Sequence, residues 1–183
     1  MKKFFSFLVT LFTVFSSIII STTTLSATTN DSKELIIVEV IVGNPNDAQK
    51  IENIVLDDGT SLADHDYVVL NRGMFNSRSS SYAALGQYFD YAAWINRDGK
   101  ISLSLKPKSN VKNTLSGLNA AWSKLANVST GFGGDYRFRH NPSGLNDQYV
   151  CHYYFASFKE YWNLEPYAPN VGYWATVFAS CNP

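Results

Sequence analysis

His140, His152, Asp147 and Glu165 are the acid–base groups of the chain's last third. A hydrolase needs a proton shuttle near neutral pH. Imidazole supplies one without tuning, and a carboxylate does so when its surroundings raise its pKa. Arg137 and Arg139, on alternate residues, can hold a phosphate or carboxylate with paired N–H groups. Lys159 and Asn163 add donors for a developing negative charge, and Trp162 beside them offers a ring for contact. If residues 163–169 fold over the outward face of a strand carrying His152, then His152 and Glu165 meet as an acid–base pair. His140 is the further catalytic candidate and Arg139 the anion clamp. The same residues have plainer uses. A Glu before Pro often pairs with a neighbouring Lys, and a His beside a disulfide cysteine is often a structural group.

Other constellations carry less. Asp64, His65 and Asp66, with Asp57 and Asp58, superficially suggest a metal site, but they lie in turn-rich sequence and read as a solvated loop. No metal or cofactor is expected. Ser79, Ser80, Ser81 and Ser143 sit in no nucleophile-elbow pattern. Gly131, Gly133 and Gly134 follow an expected helix rather than a strand, which suits a turn and not a phosphate cradle.

The elements that must position these groups read as one α+β domain. Residues 34–42 are almost continuously apolar and rich in Ile and Val, the pattern of a strand covered on both faces. Residues 43–46 (Gly-Asn-Pro-Asn) end it. Residues 51–56 and 67–70 are short strand candidates, with a turn at residues 57–59 between them. Residues 76–81 read as a Ser-rich loop, and Tyr82, Leu85 and Phe89 share a helical face. Residues 91–95 and 100–105 form a hairpin through Asn96-Arg97-Asp98-Gly99. Ile101, Leu103 and Leu105 alternate with Ser102 and Ser104, as when one face is buried. Val111, Leu115, Leu118, Trp122 and Leu125 recur at helical spacing, which predicts one amphipathic helix of about 18 residues lying on the sheet. Gly117 inside it is a liability of roughly 1 kcal/mol against Ala. Residues 131–144 read as a connection and residues 148–155 as a strand. Pro166 and Pro169 make residues 164–170 irregular. Residues 171–181 fit either helix or strand; helix is preferred because Asn170 can cap it.

Composition narrows the setting. Residues 1–27 read as a secretory signal peptide: Lys2 and Lys3, an apolar run from Phe4 to Ile20, then a small polar tract ending at Ala27. Removing that leader takes Lys+Arg from 15 to 13 against 15 Asp+Glu, a poor footprint for nucleic acid. The mature chain shows no membrane span, and residues 28–183 have the size of one domain. Export provides an oxidising compartment, where Cys151 and Cys181 have a single pairing available. They frame an aromatic-rich stretch: from Tyr136 onward lie 13 of the 22 Phe, Tyr and Trp residues outside the leader.

From Tyr91 onward a series of motifs appears in order. Trp94-x-x-Arg97-Asp98-Gly99 leads to a Ser-Leu-Ser-Leu strand, and Ala121-Trp122 lies on a helix. Asp147-Gln148-Tyr149-x-Cys151-His152 follows, then Lys159-x-x-Trp162-Asn163-Leu164-Glu165-Pro166 and a terminal Cys181-Asn182-Pro183. This half of the chain resembles a family of exported bacterial domains of unknown function. The resemblance implies export and the Cys151–Cys181 pairing, and implies no activity. Where the family carries Arg, this chain has Ala168.

Two functions fit these features. One is an extracellular module whose aromatic C-terminal surface binds a cell-envelope glycan or protein. The other is a small secreted hydrolase or antibacterial effector built on His152 and Glu165. Oligomeric state is not legible.

Overall fold

A five-stranded sheet is ordered β2-β1-β3-β4-β5 in space. In this computed structural model the described residues are 35–44, 48–56, 58–71 and 81–183, so the expected signal peptide and most of the Ser-rich loop lie outside them. The strands are β1 (Leu35–Val42), β2 (Asp66–Asn71), β3 (Phe89–Arg97), β4 (Lys100–Pro107) and β5 (Trp162–Leu164). Strands β1 and β2 run parallel; the other three pairings are antiparallel. This is the expected α+β domain with a largely antiparallel sheet.

The β3–β4 hairpin forms where the sequence placed it. Asp98 and Gly99 both adopt positive φ, 46° and 84°, the two-residue turn that matches the right-handed twist of paired strands. The Asn96 side chain accepts from the Gly99 N–H at 2.9 Å and closes it.

Both faces of the central sheet are covered. Trp94, Leu103, Leu105, Trp162 and Leu164 pack under helices on one face, together with Leu118, Leu125, Phe132, Phe138 and Tyr149. Ile36, Val38, Val40, Ala93 and Ile95 pack on the other face against Ile51, Ile54, Leu56 and Leu62. Two expectations about coverage therefore exchange places. Strand β4 buries Ser104 as fully as Leu103 and Leu105, whereas Leu35 and Ile37 of β1 are exposed. Burial alternates along the start of β1, so its near-continuous apolar run is half covered, with Ile36, Val38 and Val40 inward.

The helices depart furthest from the sequence reading. Residues 51–56 are not a strand: α1 (Ala48–Glu52) opens the segment, and a single bridge joins Val55 to Ser61. Residues 81–87 form a 3-10 helix, and Phe89 belongs to β3. The expected long helix is two, α2 (Ser109–Asn113) and α3 (Leu115–Leu125). Thr114 breaks it with extended backbone (φ −137°, ψ 138°) and caps α3 by accepting from the Gly117 N–H. The break turns Leu115 outward, half exposed, although Val111 and Leu118 stay buried. Gly117 is then no liability, because a Cβ there would stand 1.9 Å from the Asn110 carbonyl oxygen.

Residues 131–144 contain a 3-10 turn (Phe132–Gly134), α4 (Tyr136–His140) and the start of α5 (Pro142–Phe155). The strand expected over residues 148–155 is thus the C-terminal half of α5. Asn141 caps α5 through the Gly144 N–H, and Pro142 fixes its first turn. Helix α6 (Tyr173–Phe178) confirms the helical preference near the C-terminus, although Gly172 and not Asn170 precedes it. Cys151 on α5 is bonded to Cys181 beyond α6, with Cα atoms 5.5 Å apart.

Candidate functional site

Strand β5 is the outer edge of the sheet, and α5 covers it in an unusual way. Gln148 donates through Nε2 to the Glu165 carbonyl at 3.0 Å and accepts through Oε1 from the Glu165 N–H at 2.7 Å. One turn later His152 Nε2 meets the Asn163 carbonyl at 3.4 Å. Four residues of helix rise about 6 Å and two residues of strand about 6.7 Å, so Gln148 and His152 sit in register with Glu165 and Asn163. Two helical side chains thereby replace the neighbouring strand that an edge would otherwise recruit. The Asn182 amide, oriented to satisfy its neighbours, adds a donor to the Asn163 carbonyl at 3.1 Å. The last three motifs of the series, at residues 147–152, 159–166 and 181–183, meet at this edge.

Clamping β5 consumes His152. Its ring stacks on Trp162 at 5.9 Å and is only 2% exposed. A carbonyl can only accept, so Nε2 carries the proton. Burial drives the imidazole down to about pKa 4. The Asn163 backbone and the Asn182 side chain oppose that shift, and the Lys159 charge reinforces it. His152 is neutral at physiological pH.

The sign of the resulting pH dependence follows. An unfolded His152 takes up its proton near 6.5, the folded one only near 4, so protons between those values favour the unfolded chain. His152 contributes its full stability above pH 6.5, loses it as pH falls towards 4, and adds no further change below. The loss amounts to about 3 kcal/mol. Urea denaturation across that window measures it, and His152→Gln, which keeps a donor for the Asn163 carbonyl, is expected to flatten the slope. An equal slope in both proteins would exclude His152 as the source. Asp58 acts below the window: hydrogen bonds from Thr60, then Arg97, hold it well under the usual carboxylate range.

A cavity of about 360 Å³ opens beside the clamp. His152, Lys159 and Asn163 all line it, so three of the sequence-nominated residues do come together. Phe158, Tyr161 and Asn182 complete much of the wall, and sequence reasoning missed them. Val55, Leu56 and Gly59 also line it, and the Asn163 side chain donates to the Val55 carbonyl at 3.0 Å.

The other nominees lie elsewhere. Glu165 pairs its side chain with Lys100 at 3.6 Å. His140 stands against the Tyr167 ring, centroids 4.6 Å apart. Trp162 is core. Arg137 is buried between Glu39 and Asp135, its guanidinium 4.4 Å from the Trp94 ring centre. Arg139 lines a separate cavity of about 230 Å³ with Tyr82, Asp135 and Tyr136. Burial raises the Asp147 carboxyl above its ordinary value; burial, and after it the charges of Tyr154 and Asp147, raise the Tyr173 phenol on α6. In the acidic loop His65 bonds Thr60, Asp58 pairs with Arg97 and Asp64 caps a 3-10 turn at Ser61; Asp57 lies outside the described residues. Among the described residues no group of three His, Cys, Asp or Glu side chains is placed to hold a metal ion. No helix among them is long and apolar enough to cross a membrane.

A second feature is the surface of α5 and α6. Phe178 and Trp174 are 86% and 67% exposed, with Tyr154 and Phe155 more than half exposed. The rings of Tyr154 and Phe155 adjoin, as do those of Tyr173 and Trp174. From Pro166 to Pro183 the sequence holds no Asp, Glu, Lys or Arg.

Residues 89–183 match a family described as "Protein of unknown function (DUF2599)", and the chain belongs to it. That span covers β3 through the C-terminus, including the clamp, the disulfide and the aromatic surface. No curated protein and no solved structure matches the chain.

Proposed function

We propose that this member of the family is an exported binding module, and that the α5–α6 surface docks onto a protein partner of the cell envelope. The carrying observation is an uncharged C-terminal segment whose largest rings, Trp174 and Phe178, face solvent. Burying them inside would have been favourable by roughly 1.5–3 kcal/mol each. A contiguous exposed apolar patch marks an interaction site. Aromatic enrichment with depletion of charge is the composition of a protein-interface core. A glycan site would need several hydrogen-bond donors and acceptors around the rings; Phe155 and Phe178 offer none, and Tyr154, Tyr173 and Trp174 one polar atom each.

Catalysis by His152 and Glu165 draws no support from the geometry. A general base needs a pKa near the working pH and access to substrate. His152 is buried, neutral and engaged with the Asn163 carbonyl, and Glu165 is paired with Lys100.

A photo-crosslinking phenylalanine analogue in place of Trp174 tests the docking reading in the native host. A discrete crosslinked protein is expected, and Phe178→Asp is expected to weaken that complex about thirtyfold or more, the scale of one interface hot spot. Crosslinks no more selective than those from a probe at exposed Lys124 would sink the reading. Retention on isolated wall polysaccharide without a protein adduct would move it to a glycan.

A further inference from the structure

The two edges of the sheet are built differently. Strand β5 is closed by Gln148 and His152, whereas β2 at the opposite edge pairs with β1 alone among the described strands. Proteins blunt a free edge with Lys, Pro, a bulge or a covering element. Residues 66–71 (Asp-Tyr-Val-Val-Leu-Asn) contain no Lys and no Pro. The β1–β2 pairs run in unbroken register, whereas the β1–β3 and β3–β4 pairings each carry a register shift. An edge of this kind presents a row of N–H and C=O groups, and the protein element that matches such a row along its length is another extended backbone.

The side chains of β2 are sorted by face. Tyr67 and Val69 pack against the core that holds Ile36, Val38 and Val40, which fixes the strand's register. Asp66, Val68 and Leu70 point the other way, level with Leu35, Ile37 and Glu39 of β1. Arg137 of α4 reaches Glu39 on this open face. Beyond that contact Leu35, Ile37, Val68 and Leu70 remain 53%, 37%, 44% and 48% exposed. Asp66 is the sole charge in the strand.

This edge is complementary to itself. A two-fold axis perpendicular to the sheet carries the open faces of two copies to the same side, so opposed residues must be both odd or both even in number. Two antiparallel registers overlap most of β2. One centred on Val68 sets Leu70 against the Asp66 carboxylate. The other, centred on Val69, sets Val68 against Leu70 twice on the open face and Val69 against itself on the covered face. Apolar pairs directly opposite each other are the stabilising unit of a sheet. In this second register the two Asp66 residues lie six strand positions apart, roughly 20 Å, where solvent screens their repulsion. The side-chain match favours a second copy over a strand of another protein.

We propose that β2 pairs antiparallel with β2 of a second copy about a two-fold axis at Val69, joining two sheets into one. A strand of six residues falls short of the roughly 800 Å² per partner of a standard interface, so the dimer is expected to form at micromolar to millimolar concentrations. Helix α5 lies at the opposite edge, and pairing at β2 leaves the aromatic surface of both copies open.

Sedimentation equilibrium of the exported protein over that concentration range tests this, and a monomer–dimer equilibrium is expected. Val68→Lys places an ammonium against Leu70 of each partner and is expected to weaken the dimer at least tenfold. Val68 is exposed enough for the monomer to keep its fold. Leu35→Lys puts the same charge on the same face, one strand back from the edge, and is expected to leave the dimer intact. A mixture of Val68→Cys and Leu70→Cys proteins is expected to form a disulfide-linked dimer faster than either protein alone, and Asp66→Cys alone none; the chain has no free cysteine to confuse the readout. Phe178→Asp is expected to dimerise normally, which separates this edge from the α5–α6 docking surface. A chain that stays monomeric at millimolar concentration, or dimerisation unaltered by Val68→Lys, would overturn the proposal. Dissociation by Leu35→Lys as complete as by Val68→Lys would overturn it in favour of copies stacked face to face. A monomer whose photo-crosslinker at position 68 captures a different protein would overturn it in favour of a foreign strand.

Discussion

Replacing Arg137 with Met is expected to destabilise the fold by about 3–5 kcal/mol, more than removal of any exposed side chain. The Arg137 guanidinium lies between Glu39 of β1 and Asp135 before α4, at 3.1 and 2.6 Å. All three side chains are largely shielded from water, with Arg137 9% exposed. Burial acts to discharge the guanidinium, but its hydrogen bonds to Asp135 and Glu39 outweigh that and raise its pKa. Met fills comparable volume over the Trp94 ring yet leaves two carboxylates facing each other in a poorly hydrated space. The cost then comes from the charges left behind. A triple variant, Arg137→Met with Glu39→Gln and Asp135→Asn, is accordingly expected to recover most of the loss. Asn at position 135 can still accept from the residue 137 N–H and keep α4 capped. Chemical denaturation of both proteins measures the difference. A triple variant as unstable as the single one would show that packing over Trp94, and not charge burial, is what Arg137 contributes.

Arg137 also shows where sequence reasoning loses information. Its spacing from Arg139 suggested a shared anion clamp, but two residues in a helix lie on opposite sides, and α4 sends Arg137 inward and Arg139 to a separate cavity. The hairpin was legible because Asp98-Gly99 dictates its own backbone. The cysteine pairing was legible because only two cysteines exist. Helix α5 was not. Tyr149, Val150, Tyr153, Tyr154 and Phe155 favour strands, and the buried positions Leu145, Gln148, Tyr149 and His152 include two polar residues, which erases the apolar stripe a helix normally displays. The counter-signal was Asn141-Pro142, a cap followed by the residue best suited to a first turn. Read as a helix, Gln148 and His152 fall four residues apart on one face, and the edge clamp becomes foreseeable. Strand β5 has three residues and no periodicity to detect. The break at Thr114 was hidden because apolar spacing continues across it.

Loss of the Cys151–Cys181 bond, by reduction or by substituting both residues with Ala, is expected to lower the stability of the C-terminal unit by roughly 3.5 kcal/mol, from the entropy of a loop of 30 residues. The loss should be local, because α6 has few other holds. Thr176 is the one fully buried side chain within α6, and the Cys181 N–H returns to the Thr176 carbonyl at 2.9 Å. The rings of Trp174 and Phe178 contribute little by burial because they face solvent. With the bond cut, α6 has neither an apolar face under cover nor charged partners, so it detaches before β3 and β4 open. Hydrogen exchange is expected to show residues 173–181 losing protection while residues 89–107 keep theirs. Detachment would also scatter the exposed rings, so crosslinking from position 174 should fade in parallel. Unchanged protection over residues 173–181 after reduction would mean that packing alone holds α6, and that the docking surface does not depend on the disulfide.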